Sequence, residues 1–343
     1  MVTVSGEPGI GKTSLLRRFA ELADGAPVLW GACPTHVATP PLWPWRQVLG
    51  MAGSHYPRRP VPDAVAEVLH GETRQPRDDA DADAATLRQF EAIVHYLTGA
   101  SQAAPLVIVL DHLHQADPSS LRLLAHLAES VPTSRLLVAV SYRSDKAAIL
   151  AETAAALARA EMTRVELSGL NVAETRALAS AMLHREVSGT TAEDLRHRTG
   201  GNPFYLRELI KVLDCEERAG RGRIAPVPAP VREVVLGRVA QLGPTAVELL
   251  SVASIAGLTF AIDVVAEASS IEIEEALRVV DAIVAAGLIG EDHRRLGWYS
   301  FTHALTAEVL FHTMGRLRRV HLLRRIRAAA ARPRRGAVGS AAE

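Results

Sequence analysis

Eight residues near the start of the chain restrict its fold more than any other stretch. Gly6-Glu7-Pro8-Gly9-Ile10-Gly11-Lys12-Thr13 satisfies the spacing G-x-x-x-x-G-K-S/T at every fixed position. It follows a β-branched run, Val2–Ser5. It precedes a segment with helical spacing, Lys12 to Ala23, whose apolar face is Leu15, Leu16, Phe19, Ala20 and Leu22. A strand that turns into a helix through glycines leaves backbone N–H groups pointing inward, and the helix adds the positive end of its dipole. Such a loop is an anion cradle. Its expected members run from Gly6 to Ser14, with Lys12 as a point charge on the β- and γ-phosphates and the Thr13 hydroxyl on Mg²⁺. The chain is therefore expected to bind ATP with Mg²⁺, with the choice between ATP and GTP left open.

A triphosphate site also needs an acid from a second strand. Leu106–Asp111 is an apolar run closed by a carboxylate, which makes Asp111 the candidate for the metal. His112 follows, where many ATPases of this kind place Asp or Glu to orient the attacking water. An imidazole accepts a proton near neutral pH but lacks a fixed negative charge, so hydrolysis is expected to be slow. His112 and His114 alternate on a strand end and so share a direction. With no third ligand in view, packing or a supporting hydrogen bond outranks a metal site. Arg143 follows the apolar run Arg135–Ser141. In the strand order 5-1-4-3-2, usual for this class of ATPase, that run lies between the strand before the loop and the strand of Asp111. Arg143 would then face the γ-phosphate; a plain surface arginine is the alternative.

Five short apolar runs, Val2–Ser5, Pro27–Gly31, Leu106–Asp111, Arg135–Ser141 and Val165–Leu167, alternate with helical segments, the pattern of a parallel α/β sheet. Tyr56 to Ala84, with its prolines and Asp78, Asp79, Asp81 and Asp83, reads as a solvated loop. After about Asn171 the strand signal fades. Residues 171–215 are helical in spacing, 216–230 form a polar linker, and 231–331 are a second helical block. That block holds one hairpin, Gly287–Gly290 with Trp298–Phe301, turning at Asp292-His293-Arg294, which suggests a winged-helix-like domain. Residues 332–343 read as a flexible tail.

Composition narrows the setting. At 48% hydrophobic residues the chain has enough apolar surface for packed cores. A formal net charge of +0 gives no global field toward nucleic acid or anionic membranes. Two cysteines, Cys33 and Cys215, make no disulfide framework and fit a reducing compartment. The most apolar stretch, Leu249 to Ala268, is broken by Ser251, Ser254, Thr259 and Asp263, so no membrane span is expected. No basic segment followed by an apolar run opens the chain, and the expected location is cytoplasmic. Arg316 to Arg335 holds nine arginines around an apolar stripe of Leu317, Val320, Leu323 and Ile326. The solvated face of a final helix is the preferred reading over a nucleic-acid patch.

Five stretches in this order carry a family resemblance. They are Ser5–Thr13, Pro41-Leu42-Trp43-Pro44-Trp45, Val109–Pro118, Thr199-Gly200-Gly201-Asn202-Pro203-Phe204-Tyr205 and Phe301-Thr302-His303-Ala304-Leu305. Together the chain resembles the nucleotide-binding module of STAND-type AAA ATPases, especially the large ATP-binding regulators of the LuxR family. The resemblance implies an α/β P-loop core (1–170), a helical lid (171–215) and a winged-helix-like α-rich domain (231–331). It also implies that Gly201-Asn202-Pro203 lies near the nucleotide and that His303 meets the β-phosphate. His112 and Gln115 depart from the acid and tryptophan usual there. Such relatives carry a Gly-Arg-Glu segment before the first strand, and helical repeats with a DNA-binding helix-turn-helix afterwards, so this chain reads as an isolated core. The implied role is a nucleotide switch in a signalling or transcriptional regulator, with a protein partner or self-association and DNA contact only through regions outside this chain. The alternative is an active AAA motor or DNA-loading ATPase of the origin-recognition type. A P-loop small-molecule kinase ranks last, because it leaves the later motifs unexplained.

Overall fold

The computed structural model describes residues 1–23, 25–34, 39–71, 79–146, 162–218 and 226–332. They form two compact units, Met1–Ser168 and Gly169–Glu343.

The first unit is a five-stranded parallel sheet: β1 (Val2–Gly6), β2 (Val28–Ala32), β3 (Leu106–Asp111), β4 (Leu136–Ser141) and β5 (Thr163–Leu167), in the order β2-β3-β4-β1-β5. Its helices are α1 (Lys12–Leu22), α2 (Trp43–His55), α3 (Asp63–His70), α4 (Asp79–Ala103) and α5 (Pro118–Ser130). Strand pleating explains why β3 and β4 read as unbroken apolar runs. Leu106, Ile108 and Leu110 of β3, with Leu136, Val138 and Val140 of β4, join the core built with α2 to α5. Val107, Val109 and Ala139 turn to the other face, where Leu16 and Phe19 of α1 cover them. The order is the one expected from the sequence. Tyr56–Ala84 is not a loop throughout: α3 and the start of α4 fall inside it. The apolar face of Val65 and Val68, both buried in the α2–α5 core, is only one turn long, and prolines on either side of it hide so short a helix. Asp78 lies outside the described residues.

The segment Pro41–Trp45 and the segment after Asp111 are parts of one joint. Asp117 caps α5: its Oδ1 accepts from Ser120 N at 3.0 Å, and its Oδ2 accepts from Ser120 Oγ at 2.5 Å and from Leu42 N at 3.1 Å. Trp45 Nε1 donates to the Ser120 carbonyl at 3.0 Å. Leu42 has φ 59°, so the chain bends sharply before α2. At Gly31 a Cβ would lie 2.2 Å from the Pro44 carbonyl oxygen, so only glycine lets the start of α2 lie on β2. The Gln47 amide closes the end of this edge strand, accepting from Ala32 N at 3.3 Å and donating to Ala32 O at 2.9 Å.

The second unit is α6 (Val172–Leu183), α7 (Gly189–Thr199), α8 (Pro203–Arg218), α9 (Ala229–Ala240), α10 (Pro244–Ala256), α11 (Ile262–Ser269), α12 (Ile273–Ala285), α13 (Ala304–Thr313) and α14 (Arg316–Ala330), with a small antiparallel sheet. In that sheet β8 (Trp298–Phe301) lies between β6 (Thr259–Ala261) and β7 (Ile289–Glu291). The β7–β8 hairpin matches the sequence reading. β6, three residues long, has no period to detect. Helices α6 to α8 share one small core around Leu195, Leu206 and Leu209, and α9 onward share another around Val252, Val265 and Leu305. Asn171 and Glu174 form a capping box that starts α6. Among the described residues no helix is long and apolar enough to cross a membrane.

Asp117→Ala removes a helix cap and leaves the Leu42 N–H without its acceptor. The expected cost is about 2 kcal/mol, seen as a lower urea midpoint with unchanged slope. An unchanged midpoint would show that the joint does not bear on stability.

Candidate functional site

The site is built where β1, β4 and β3 end side by side. Gly6, Gly9 and Gly11 take φ values of 151°, 79° and 107°, left-handed backbone that only glycine adopts without strain. Gly6 is doubly constrained, since a Cβ there would meet Ile10 Cγ2 at 2.9 Å and the Leu167 carbonyl at 3.0 Å. Gly11 is the N-cap of α1, and no side chain caps that helix. Its first N–H groups are thus available to an anion.

Lys12 is buried and donates from Nζ to the carbonyls of Gly6 and Glu7, both at 2.8 Å. Burial, then the neighbouring Arg143 guanidinium, pull its pKa down from 10.5 to about 8, against the opposing pull of Asp111, Asp145 and Glu7. Thr13 Oγ1 donates to Asp111 Oδ2 at 2.8 Å. The other oxygen of Asp111, Oδ1, accepts from the Ser141 hydroxyl in a very short hydrogen bond and from His112 N at 3.0 Å. Ser141 Oγ in turn accepts from His112 N at 3.1 Å. A carboxylate buried to 2% exposure is thereby fixed by three partners, with one oxygen beside the threonine hydroxyl.

His112 has φ 59°, and its Nε2 lies 3.7 Å from Asp111 Oδ2. Its ring meets the His114 ring edge-on at 5.9 Å. His114 is buried, and its Nδ1 has no hydrogen-bond partner among the described residues. Burial first, then Arg143, His112 and Lys12, lower its pKa to about 4, so its ring is neutral at pH 7. Arg143 makes a bidentate pair with Asp145, Nε to Oδ1 at 3.0 Å and Nη2 to Oδ2 at 2.6 Å. Both carboxylate oxygens of Asp117 accept hydrogen bonds, from Ser120 at the cap of α5 and from Leu42 N.

Lys12, Thr13, Asp111, His112 and Arg143 are thus gathered at one end of the sheet. Sequence reasoning missed Ser141 and Asp145. The signal for Ser141 was present: β3 and β4 are adjacent apolar runs, and each ends on a polar residue. The residues fit a magnesium-bound nucleoside triphosphate. Thr13 and Asp111 present two hard oxygens 2.8 Å apart, as Mg²⁺ prefers, with water and phosphate oxygens to complete the shell. Among the described residues no group of three or more His, Cys, Asp or Glu is placed to hold a metal by itself, so the His112–His114 pair gains no third ligand.

Pro203 and His303 belong to the second unit, where their two motifs meet. Gly200 and Gly201 have φ 62° and 76°. A Cβ on Gly200 would lie 2.1 Å from His303 Nδ1, and one on Gly201 would lie 2.2 Å from the Leu170 carbonyl. The His303 ring, buried, packs edge-on against Tyr205 at 5.3 Å. Asn202 Oδ1 accepts from Phe204 N at 3.1 Å, and Pro203 opens α8, where its missing N–H costs nothing.

This strand order and glycine loop define a P-loop NTPase-like fold. Residues 1–139 match the family model described as an AAA ATPase domain. No curated protein matches the chain. Among solved structures, the Walker-type ATPase of Pyrococcus abyssi is similar over 90% of each chain, with 13% identity and a TM-score of 0.54. The ORC2 protein of Aeropyrum pernix, in ADPNP and ADP complexes, is similar over 96% of this chain and 89% of its own, with 14% identity and a TM-score of 0.52. A STAND protein with a tetratricopeptide repeat sensor from Pyrococcus horikoshii aligns with 97% of this chain and 43% of its own, at 17% identity and a TM-score of 0.42.

The chain has three lysines, Lys12, Lys146 and Lys211, so lysine ¹³Cε resonances are resolvable. The Lys12 resonance is expected to titrate near pH 8. Because the unfolded chain holds that proton up to about 10.5, this group adds stability as pH rises from 8 toward 10.5. Lys12→Met should remove that rise; a Lys12 midpoint above 10 would contradict the buried, Arg143-facing environment.

Proposed function

We propose that this chain is an ATP-binding switch module that hydrolyses ATP slowly at most. The observation that carries the reading is the grouping of Lys12, Thr13, Asp111 and Arg143 at one sheet end, with a histidine in place of an acid beside the metal carboxylate. In this reading Gly6 to Ser14 wrap the phosphates, Lys12 neutralises the β- and γ-phosphates, and Thr13 and Asp111 hold Mg²⁺. Bound Mg²⁺ supplies charge neutralisation between the phosphates. Ser141 keeps Asp111 Oδ2 turned to Thr13. Arg143 meets the terminal phosphate, and Pro203 and His303 are the second unit's candidates for nucleotide contact. A switch needs states that differ in their affinity for ATP and ADP, not fast turnover. The role is that of a STAND-type signalling or transcriptional regulator of LuxR kind, working through a protein partner or self-association.

A DNA-loading ATPase of the origin-recognition type is the second reading, favoured by the likeness in fold to the Aeropyrum protein. ATP-dependent binding of duplex DNA by the purified chain separates the two.

Lys12→Ala should abolish binding in a fluorescent-ATP titration, and retained affinity would refute the nucleotide assignment. His112→Asp should raise steady-state phosphate release by about a hundredfold, the lower end of the range for a positioned base. The left-handed backbone at 112 tolerates aspartate. A flat rate would mean that position 112 does not limit turnover.

A further inference from the structure

The pair Arg143–Asp145 follows β4 and sits where the terminal phosphate is expected. Tyr142 N donates to the Val4 carbonyl at 3.1 Å, so the chain stays alongside β1 for one residue beyond β4. Arg143 follows immediately, and a turn closed by Lys146 N on the Arg143 carbonyl at 3.0 Å brings Asp145 back onto its guanidinium. Both planar N–H groups on one side of the guanidinium are taken by both carboxylate oxygens. That is also how arginine grips a phosphate. The side chains are 24% and 11% exposed, so the pair is sheltered enough to be strong and open enough to be displaced. Both members act on Lys12, Arg143 lowering and Asp145 raising its pKa, which places them at the same phosphate-binding end.

We propose that Asp145 is the specificity-determining residue of this site, occupying Arg143 as an internal substitute for a terminal phosphate, which a nucleoside triphosphate must displace and a diphosphate need not. The inference rests on the nucleotide-binding reading above. Affinity for ATP is then reduced by the fraction of molecules in which Arg143 is held by Asp145, and affinity for ADP is not. The residue thereby lowers the ATP-to-ADP preference of the resting protein.

The test is a double-mutant cycle on the full chain, with Mg²⁺ and fluorescent ATP and ADP, using wild type, Asp145→Asn, Arg143→Ala and the double variant. Asp145→Asn is expected to tighten ATP about tenfold and to leave ADP within about twofold. The gain should vanish when Asp145→Asn is made in the Arg143→Ala background. Asp145→Glu, which keeps the carboxylate, should return the ratio toward wild type. Should Asp145→Asn fail to fold in a thermal melt, Asp145→Ser carries the same expectation. Equal tightening of both nucleotides would indicate a general charge effect and overturn the proposal, as would an unchanged ratio or a gain that persists without Arg143. A wild-type chain that binds neither nucleotide overturns the function reading and this inference together.

Discussion

The carboxylate of Asp111 is the point on which the first unit turns. It is buried at the end of β3, where an unpartnered charge would cost several kcal/mol. Its partners come from three directions: Thr13 from the helix after β1, Ser141 from the end of β4, and the backbone of His112. Satisfying that one group fixes the relative height of three strand ends. It also aims the remaining oxygen at Thr13. The His112 N–H reaches both Asp111 Oδ1 and Ser141 Oγ, and the chain then turns at His112 through a left-handed backbone.

The motifs that looked separate along the chain are paired in space. Pro41–Trp45 and the stretch ending at Pro118 are joined through Asp117 and Ser120, so the second motif's last acid holds the first motif's bend. Thr199–Tyr205 and His303 pack together in the same way, with glycine at 200 making room for the imidazole. In each pair a glycine or a cap explains why the residue type is required, without reference to any ligand.

Much of the first unit was legible because its signals are local. A glycine-lysine loop between a strand and a helix has few folded forms, and runs such as Leu106–Leu110 state that both faces of a strand are covered. The sheet order was anticipated from the class, and the pairing of β1 with β4 and β5 agrees with it. The helix α3 and the strand β6 were not legible. Each is too short to show a period of its own, and each forms because a neighbouring core covers it.

The sequence by itself determined the anion cradle, Lys12, Thr13 and the acid that faces them, because that chemistry needs fixed residue types at fixed spacing. Only the tertiary structure decided the roles of Ser141, Asp117 and Asp145. A hydroxyl or a carboxylate declares nothing about its partner until folding brings groups 30 or 75 positions apart into hydrogen-bond range, as with Ser141 and Asp111 or Leu42 and Asp117. Even Arg143 and Asp145, two positions apart, met only because the strand ends where it does and the chain turns back on itself.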